Sequence, residues 1–153
     1  MIKFHALIAS VFGVGFVGKG GGTLAAILYC AAWYLLPAGY QGSDWQVVTT
    51  VLIIIIGTWS SGAVDNIWGK DSSKVVIDEV AGMAIALVYV PKNMGYMLIS
   101  LVAFRFFDIV KPLGVRKAEI LPKGWGVMAD DVLAGLYALA VIQLWMLIAN
   151  KFG

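Results

Sequence analysis

The chain has 153 residues, 61% of them hydrophobic and only 13% charged, with a net charge of +2 and a mean hydropathy of +0.88. A soluble domain carries about 25% charged residues, so this chain lacks the charge for a water-facing surface. That excludes an ordinary cytosolic enzyme, a disordered tail and, at so small a net charge, a nucleic-acid binder. One cysteine, Cys30, inside an apolar run excludes a disulfide scaffold and a thiolate metal site.

In chain order, residues 1–18 are apolar behind Lys3 and His5, with Gly13, Gly15 and Gly18 where a signal peptide would have its cleavage site. This segment is expected to remain in the mature protein and to lie in the interface or re-enter. The glycine run Gly18-Lys19-Gly20-Gly21-Gly22 then leads to Thr23, which is placed to cap the next helix. Backbone N–H groups at such a helix start suit a phosphate, although the Walker spacing is absent and a flexible turn explains the run as well.

Four apolar stretches follow, Thr23–Leu36, Trp45–Ser61, Val75–Val90 and Tyr96–Val110, and then the longest, Val127–Asn150. Pro37, Pro91 and Pro112 punctuate three of them. The expected fold is therefore all-α: a polytopic membrane helix bundle of about five short transmembrane helices plus the N-terminal segment, in one domain over residues 1–153. Several stretches fall below the usual 20 or so residues of a span, which borrowed flanks or a thinned bilayer would cover. Alternate connections hold Lys3 and Lys19, Lys70 and Lys74, then Lys111, Arg116, Lys117 and Lys123, against Lys92 and Lys151 opposite. The positive-inside rule puts the first group in the cytoplasm and the C-terminus outside.

The acids gather on that same side. Asp71 precedes the third stretch, Asp78 and Glu79 stand in its first turns, Arg105 and Asp108 close the fourth before Lys111, and Asp130 and Asp131 open the last. Ionisable groups in spanning segments cost a few kcal/mol each. Snorkelling and helix-dipole effects explain single charges at helix ends. They do not explain short acidic side chains in adjacent pairs, which repel unless a cation neutralises them. Hard carboxylate oxygens without histidine or cysteine suit Mg²⁺, Mn²⁺ or Ca²⁺.

Asp78 and Gly82 are four apart, as are Asp131 and Gly135, so each acid stands above a glycine on its helix face. Small residues there let two helices approach closely and would draw the acidic pairs together. Glycine-lined faces also permit a homodimer. Arg105, Asp108 and Lys111, three apart, share a face on which Arg supplies a fork of donors and Lys a point charge for phosphate. A plain Arg105–Asp108 ion pair is the competing explanation.

At these residues the sequence resembles the phosphatidylglycerophosphatase A family of small bacterial integral-membrane lipid phosphatases. The matching stretches are Asp71 to Met83 (DSSKVVIDEVAGM), Phe104 to Pro112 (FRFFDIVKP) and Gly124 to Gly135 (GWGVMADDVLAG). Where the family usually has Pro-Gly-Thr, this chain has Gly21-Gly22-Thr23, and after Lys111-Pro112 it has Leu113-Gly114-Val115.

The resemblance implies Mg²⁺-dependent removal of the terminal phosphate from phosphatidylglycerophosphate, in the bacterial inner membrane and facing the cytoplasm. On that reading Asp78, Glu79, Asp130 and Asp131 are catalytic and hold one or two Mg²⁺, with Asp71 and Asp108 as further ligands. Thr23, Arg105 and Lys111 bind substrate. Cysteine, phosphohistidine and serine-triad mechanisms lack their residues, since Cys30 is in a span and His5 stands alone. The rival is a cation transporter or channel subunit using the intramembrane carboxylates. It would place its site near the midplane, whereas these acids lie at one interface.

Overall fold

Every long apolar stretch becomes a helix in the computed structural model, which describes residues 1–69, 72–112, 114–118, 121 and 124–152. The order is α1 (Ile2–Ala9), a 3₁₀ turn (Val14–Val17), α2 (Gly21–Leu35), α3 (Asp44–Trp68), α4 (Ile77–Ala86), α5 (Met94–Val110), the short α6 (Val115–Ala118) and α7 (Gly124–Phe152). No strand occurs among the described residues.

Local chemistry sets the boundaries. Asn93 caps α5 by accepting from the N–H groups of Gly95 and Tyr96 at 2.8 and 3.2 Å. That helix closes on Lys111 in the left-handed region (φ 49°), directly before Pro112. Gly69 (φ 84°) ends α3, a conformation that costs glycine least. Gly20 (φ 100°), not Thr23, takes the N-cap of α2, so Thr23 lies inside the first turn and caps nothing.

The helices differ in reach. At 1.5 Å per residue α3 and α7 run about 37 and 43 Å, more than the roughly 30 Å of hydrocarbon in a bilayer. These two are long and apolar enough to cross a membrane. The expected span Val75–Val90 becomes the ten-residue α4, only about 15 Å long. Its chain turns away after Ala86, where the Leu87 carbonyl accepts a 2.7 Å hydrogen bond from Gln46 Nε2.

Short as it is, α4 is the centre of the bundle. Residues 81–87 are all buried, and Met83, Ala86 and Leu87 join Ala26, Trp33, Phe104, Ala138 and Ile142 in the main core. A smaller cluster of Ala9, Val64, Val75 and Val127 ties α1 to α3 and α7. The outer faces stay apolar: Leu52, Ile55 and Trp59 on α3, Val102 and Phe106 on α5, and Leu144 and Leu147 on α7 are all exposed. So broad an apolar surface suits contact with lipid.

The decisive packing is between α4 and α7. A Cβ on Gly135 would collide with the Gly82 carbonyl, and one on Gly82 would meet both the Phe104 ring and the Asp131 carbonyl. The two glycines that the spacing singled out therefore meet inside one chain. Backbone lies against backbone, and neither glycine offers its face to a second copy.

Candidate active site

α2, α4 and α7 begin at one end of the bundle and α5 finishes there, so the helix termini enclose a pocket of about 580 Å³. Asp78 and Glu79 enter it from the first turn of α4, Arg105 and Asp108 from the last turns of α5, Lys111 from its cap, and Asp130 and Asp131 from the start of α7. The glycine run Gly18–Gly22, which includes Lys19, also lines the pocket, with Ser72 and Ser73. Every proposed catalytic or metal-binding residue thus lines one cavity, except Asp71, which lies outside the described residues.

Proximity of the Gly82 and Gly135 backbones brings the carboxylates together. Ligand oxygens of Asp78, Glu79 and Asp131 lie within 4.8 Å of one another, and so do those of Asp108, Asp130 and Asp131. Asp131 belongs to both groups. It is 3% exposed, Asp78 8% and Asp130 6%, so water screens them poorly.

Two basic side chains are already committed. Arg105 Nη1 lies 2.6 Å from Asp108 Oδ2, and Lys111 Nζ donates to Asp130 Oδ2 at 2.6 Å. The Arg105–Asp108 pair that competed with the phosphate-binding reading does form, yet both partners also line the pocket. Among the described residues five carboxylates line the pocket with three basic side chains, counting Lys19, which leaves acid in excess there. Asp78 Oδ1, Glu79 Oε2 and Asp130 Oδ1 are buried without a hydrogen-bond partner among the described residues. Buried carboxylate oxygens left in that state cost several kcal/mol unless a ligand meets them. An all-oxygen donor set with orphaned lone pairs fits a hard divalent cation.

Several contributors escaped the sequence reading. Gly22 is one, because a Cβ there would strike Glu79 Oε1. Gly15 is another: a Cβ would run into the Lys74 carbonyl, so its absence lets the glycine loop seat against residues 72–75, which bring Ser72 and Ser73 to the rim. The only signal was the glycine density. Thr23, named as a substrate contact, lies one residue past the stretch that lines the pocket.

The residues of rival chemistries lie elsewhere. His5 is buried between α1 and α3, its Nδ1 3.4 Å from Ser60 Oγ and its ring edge-on to Trp59. Cys30 sits in the main core. Neither lines the acidic pocket.

The family model described as PgpA, phosphatidylglycerophosphatase A, matches residues 7–146. A Bacteroides thetaiotaomicron protein named "Putative phosphatidylinositol-3-phosphatase" is 42% identical over 146 residues, covering 90% of this chain and 91% of that protein. Proteins named phosphatidylglycerophosphatase A match at 33% identity from Haemophilus influenzae (92% of this chain, 90% of the relative) and at 29% from Escherichia coli (89% and 80%). No solved structure matches the chain.

Proposed function

The chain belongs to the phosphatidylglycerophosphatase A family of lipid phosphatases, and from that premise we propose that it removes the terminal phosphate of phosphatidylglycerophosphate in a Mg²⁺-dependent reaction at the cytoplasmic face of the bacterial inner membrane. The products are phosphatidylglycerol and phosphate. One observation carries this reading: buried and half-buried carboxylates from three helices converge beside Arg105 and Lys111, with three of their oxygens unpartnered among the described residues. Family membership sets aside the transporter alternative.

Asp78, Glu79 and Asp131 would hold one cation, and Asp108, Asp130 and Asp131 would hold a second with Asp131 shared. A divalent ion bound there supplies Lewis acidity to a phosphoryl oxygen and makes a bound water more acidic. The protein's own groups do the rest. Arg105 offers its guanidinium fork and Lys111 its ammonium to the remaining phosphate oxygens, each exchanging a carboxylate partner for the substrate. A carboxylate of the cluster orients the attacking water and takes its proton. The Gly18–Gly22 run lines the same cavity at the start of α2, where a helix N-terminus would favour phosphate oxygens.

Support for an interfacial site comes from tryptophan. Trp59 and Trp125 flank one surface groove near the acidic end. Trp45 lies about 21 Å back along α3 and Trp145 about 30 Å further along α7, at helical rise. All four are exposed. Paired aromatic rims at that separation suit the two faces of a bilayer. α2 and α5, of 15 and 17 residues, would complete the crossings where the bilayer thins. The Lys and Arg bias of the loops then puts the acidic end in the cytoplasm.

The name of the Bacteroides relative favours a second substrate, a phosphoinositide carrying a 3-phosphate. Phosphate release by detergent-purified protein tests both. Phosphatidylglycerophosphate and phosphatidylinositol 3-phosphate are supplied side by side, with Mg²⁺ and with EDTA. We expect Mg²⁺-dependent release, faster from phosphatidylglycerophosphate. Release confined to the phosphoinositide would transfer the assignment to that lipid, and release undiminished by EDTA would remove the cation.

A further inference from the structure

A lipid phosphatase must hold a hydrophobic tail as well as a phosphate, and two apolar grooves on α5 offer themselves. One lies between α5 and α7 around Val102, Phe106 and Val141. The other, about 460 Å³, lies between α2 and α5, lined by Ile27, Cys30, Ala31, Tyr34, Leu98 and Leu101. Its volume falls within the range of small-molecule sites.

Leu101 and Val102 stand four and three residues before Arg105, and Leu98 lines both grooves, so α5 serves either one. The choice rests on α2, whose first turn carries the glycine lining of the acidic pocket and whose later turns line only the second groove. On α5 that groove reaches Leu101, one turn below Arg105. On α2 the same alignment holds: Thr23, Ile27 and Ala31 are four apart, which sets the Thr23 hydroxyl one turn above the groove lining, at its mouth. At the far end Tyr34 lines the groove, and Lys92 Nζ lies 5.3 Å from its ring centre while donating to the Leu36 carbonyl at 2.9 Å. The groove thus has an apolar body, with polar groups one turn beyond its upper end and a basic side chain near the other.

We infer that one acyl chain of the lipid substrate lies in the groove between α2 and α5, with its glycerol end at Thr23 and Arg105. This rests on the lipid-phosphatase reading. It also gives Thr23 a place in substrate binding, next to the tail's origin rather than among the metal ligands. Both ends of the substrate are then held by the same two helices, so the scissile phosphate is positioned by the tail as well as by its charge.

Ala31, exposed in the groove wall, allows a test. Phosphate release is measured for Ala31→Trp and for the unaltered protein on dipalmitoyl and dihexanoyl phosphatidylglycerophosphate. The expected result is a loss of about tenfold in kcat/KM on the long-chain lipid, with the short-chain rate nearly unchanged. In parallel, phosphatidylglycerol with a diazirine in its acyl chain is photolysed with the unaltered protein in nanodiscs and the adducts are mapped. Adducts concentrated on Ile27, Ala31 and Leu101 support the inference. Adducts spread evenly over the lipid-facing helices, or concentrated on Val102 and Val141, overturn it, as does an equal loss on both chain lengths. If the unaltered protein released phosphate from neither lipid, the phosphatase reading would fall, and the adduct map, which needs no turnover, would still decide the groove.

Discussion

The two ends of α4 handle buried polarity in opposite ways. At its C-terminal end Gln46 is fully buried, and its side chain donates to the Leu87 carbonyl while its Oε1 accepts from the N–H groups of Gly42 and Tyr89, at 2.9 and 3.3 Å. Tyr40 and Thr49 bond each other beside it. At the N-terminal end, Asp78, Glu79 and Asp130 each keep a buried oxygen with no partner among the described residues. The unpartnered oxygens are themselves buried, as the Gln46 amide is, so burial alone does not explain the difference. A neutral amide can be satisfied by the fold alone. A cluster of carboxylates is satisfied best by added positive charge, which the proposed cation would bring.

The largest expected effect removes the acid common to both oxygen groups. Asp131→Asn keeps the shape of the side chain and deletes its charge, and phosphate release should fall by at least about a hundredfold, as losses of transition-state charge stabilisation do. Membrane extraction and the unfolding midpoint should be unaltered or slightly raised, because repulsion with Asp78, Glu79 and Asp130 is relieved. Near-normal turnover would take Asp131 out of the site.

Next comes the contact that brings the two acidic pairs together. Gly135→Ala forces a methyl group onto the Gly82 carbonyl, where no rotamer change can relieve it, and should cost about 3 kcal/mol by separating α4 from α7. Thermal unfolding in detergent reads that loss. Activity should fall further than the folded fraction does, since the carboxylates move apart with their helices. A loss explained by the folded fraction alone would show that the site tolerates the separation.

The smallest effect belongs to the satisfied end. Gln46→Ala leaves the Leu87 carbonyl and the Gly42 and Tyr89 N–H groups without their partner, and should cost about 2 kcal/mol of stability. Phosphate release per folded molecule should stay within about twofold of normal, because changes at distant sites act independently. A large drop in turnover would mean that the two ends are mechanically linked through α4.

Much of this was legible in the residues because it depends on short-range spacing. Asp78 with Gly82, and Asp131 with Gly135, are each a single helical turn apart, and a turn is the same in any α-helix. From that alone followed an all-helical chain, acids at one depth on three helices, and glycines that draw two of those helices together. The resemblance carried by Asp71 to Met83, Phe104 to Pro112 and Gly124 to Gly135 led to the family that the whole-chain match bears out.

What the tertiary structure decided is everything that depends on which helices become neighbours. Hydropathy read Val75–Val90 as a span, because a buried helix and a lipid-facing helix are equally apolar in sequence. Only packing revealed α4 as a ten-residue pivot enclosed by the others. Spacing offered the Arg105–Asp108 pair within α5, but could not tell that Lys111 reaches across to Asp130 or that Asp131 joins two groups of oxygens. Nor could it tell that Gly22 must lack a Cβ so that Glu79 fits. Charge and periodicity are properties of one helix, whereas an ion pair or a shared ligand belongs to two, and the distance between two helices is set by the whole bundle.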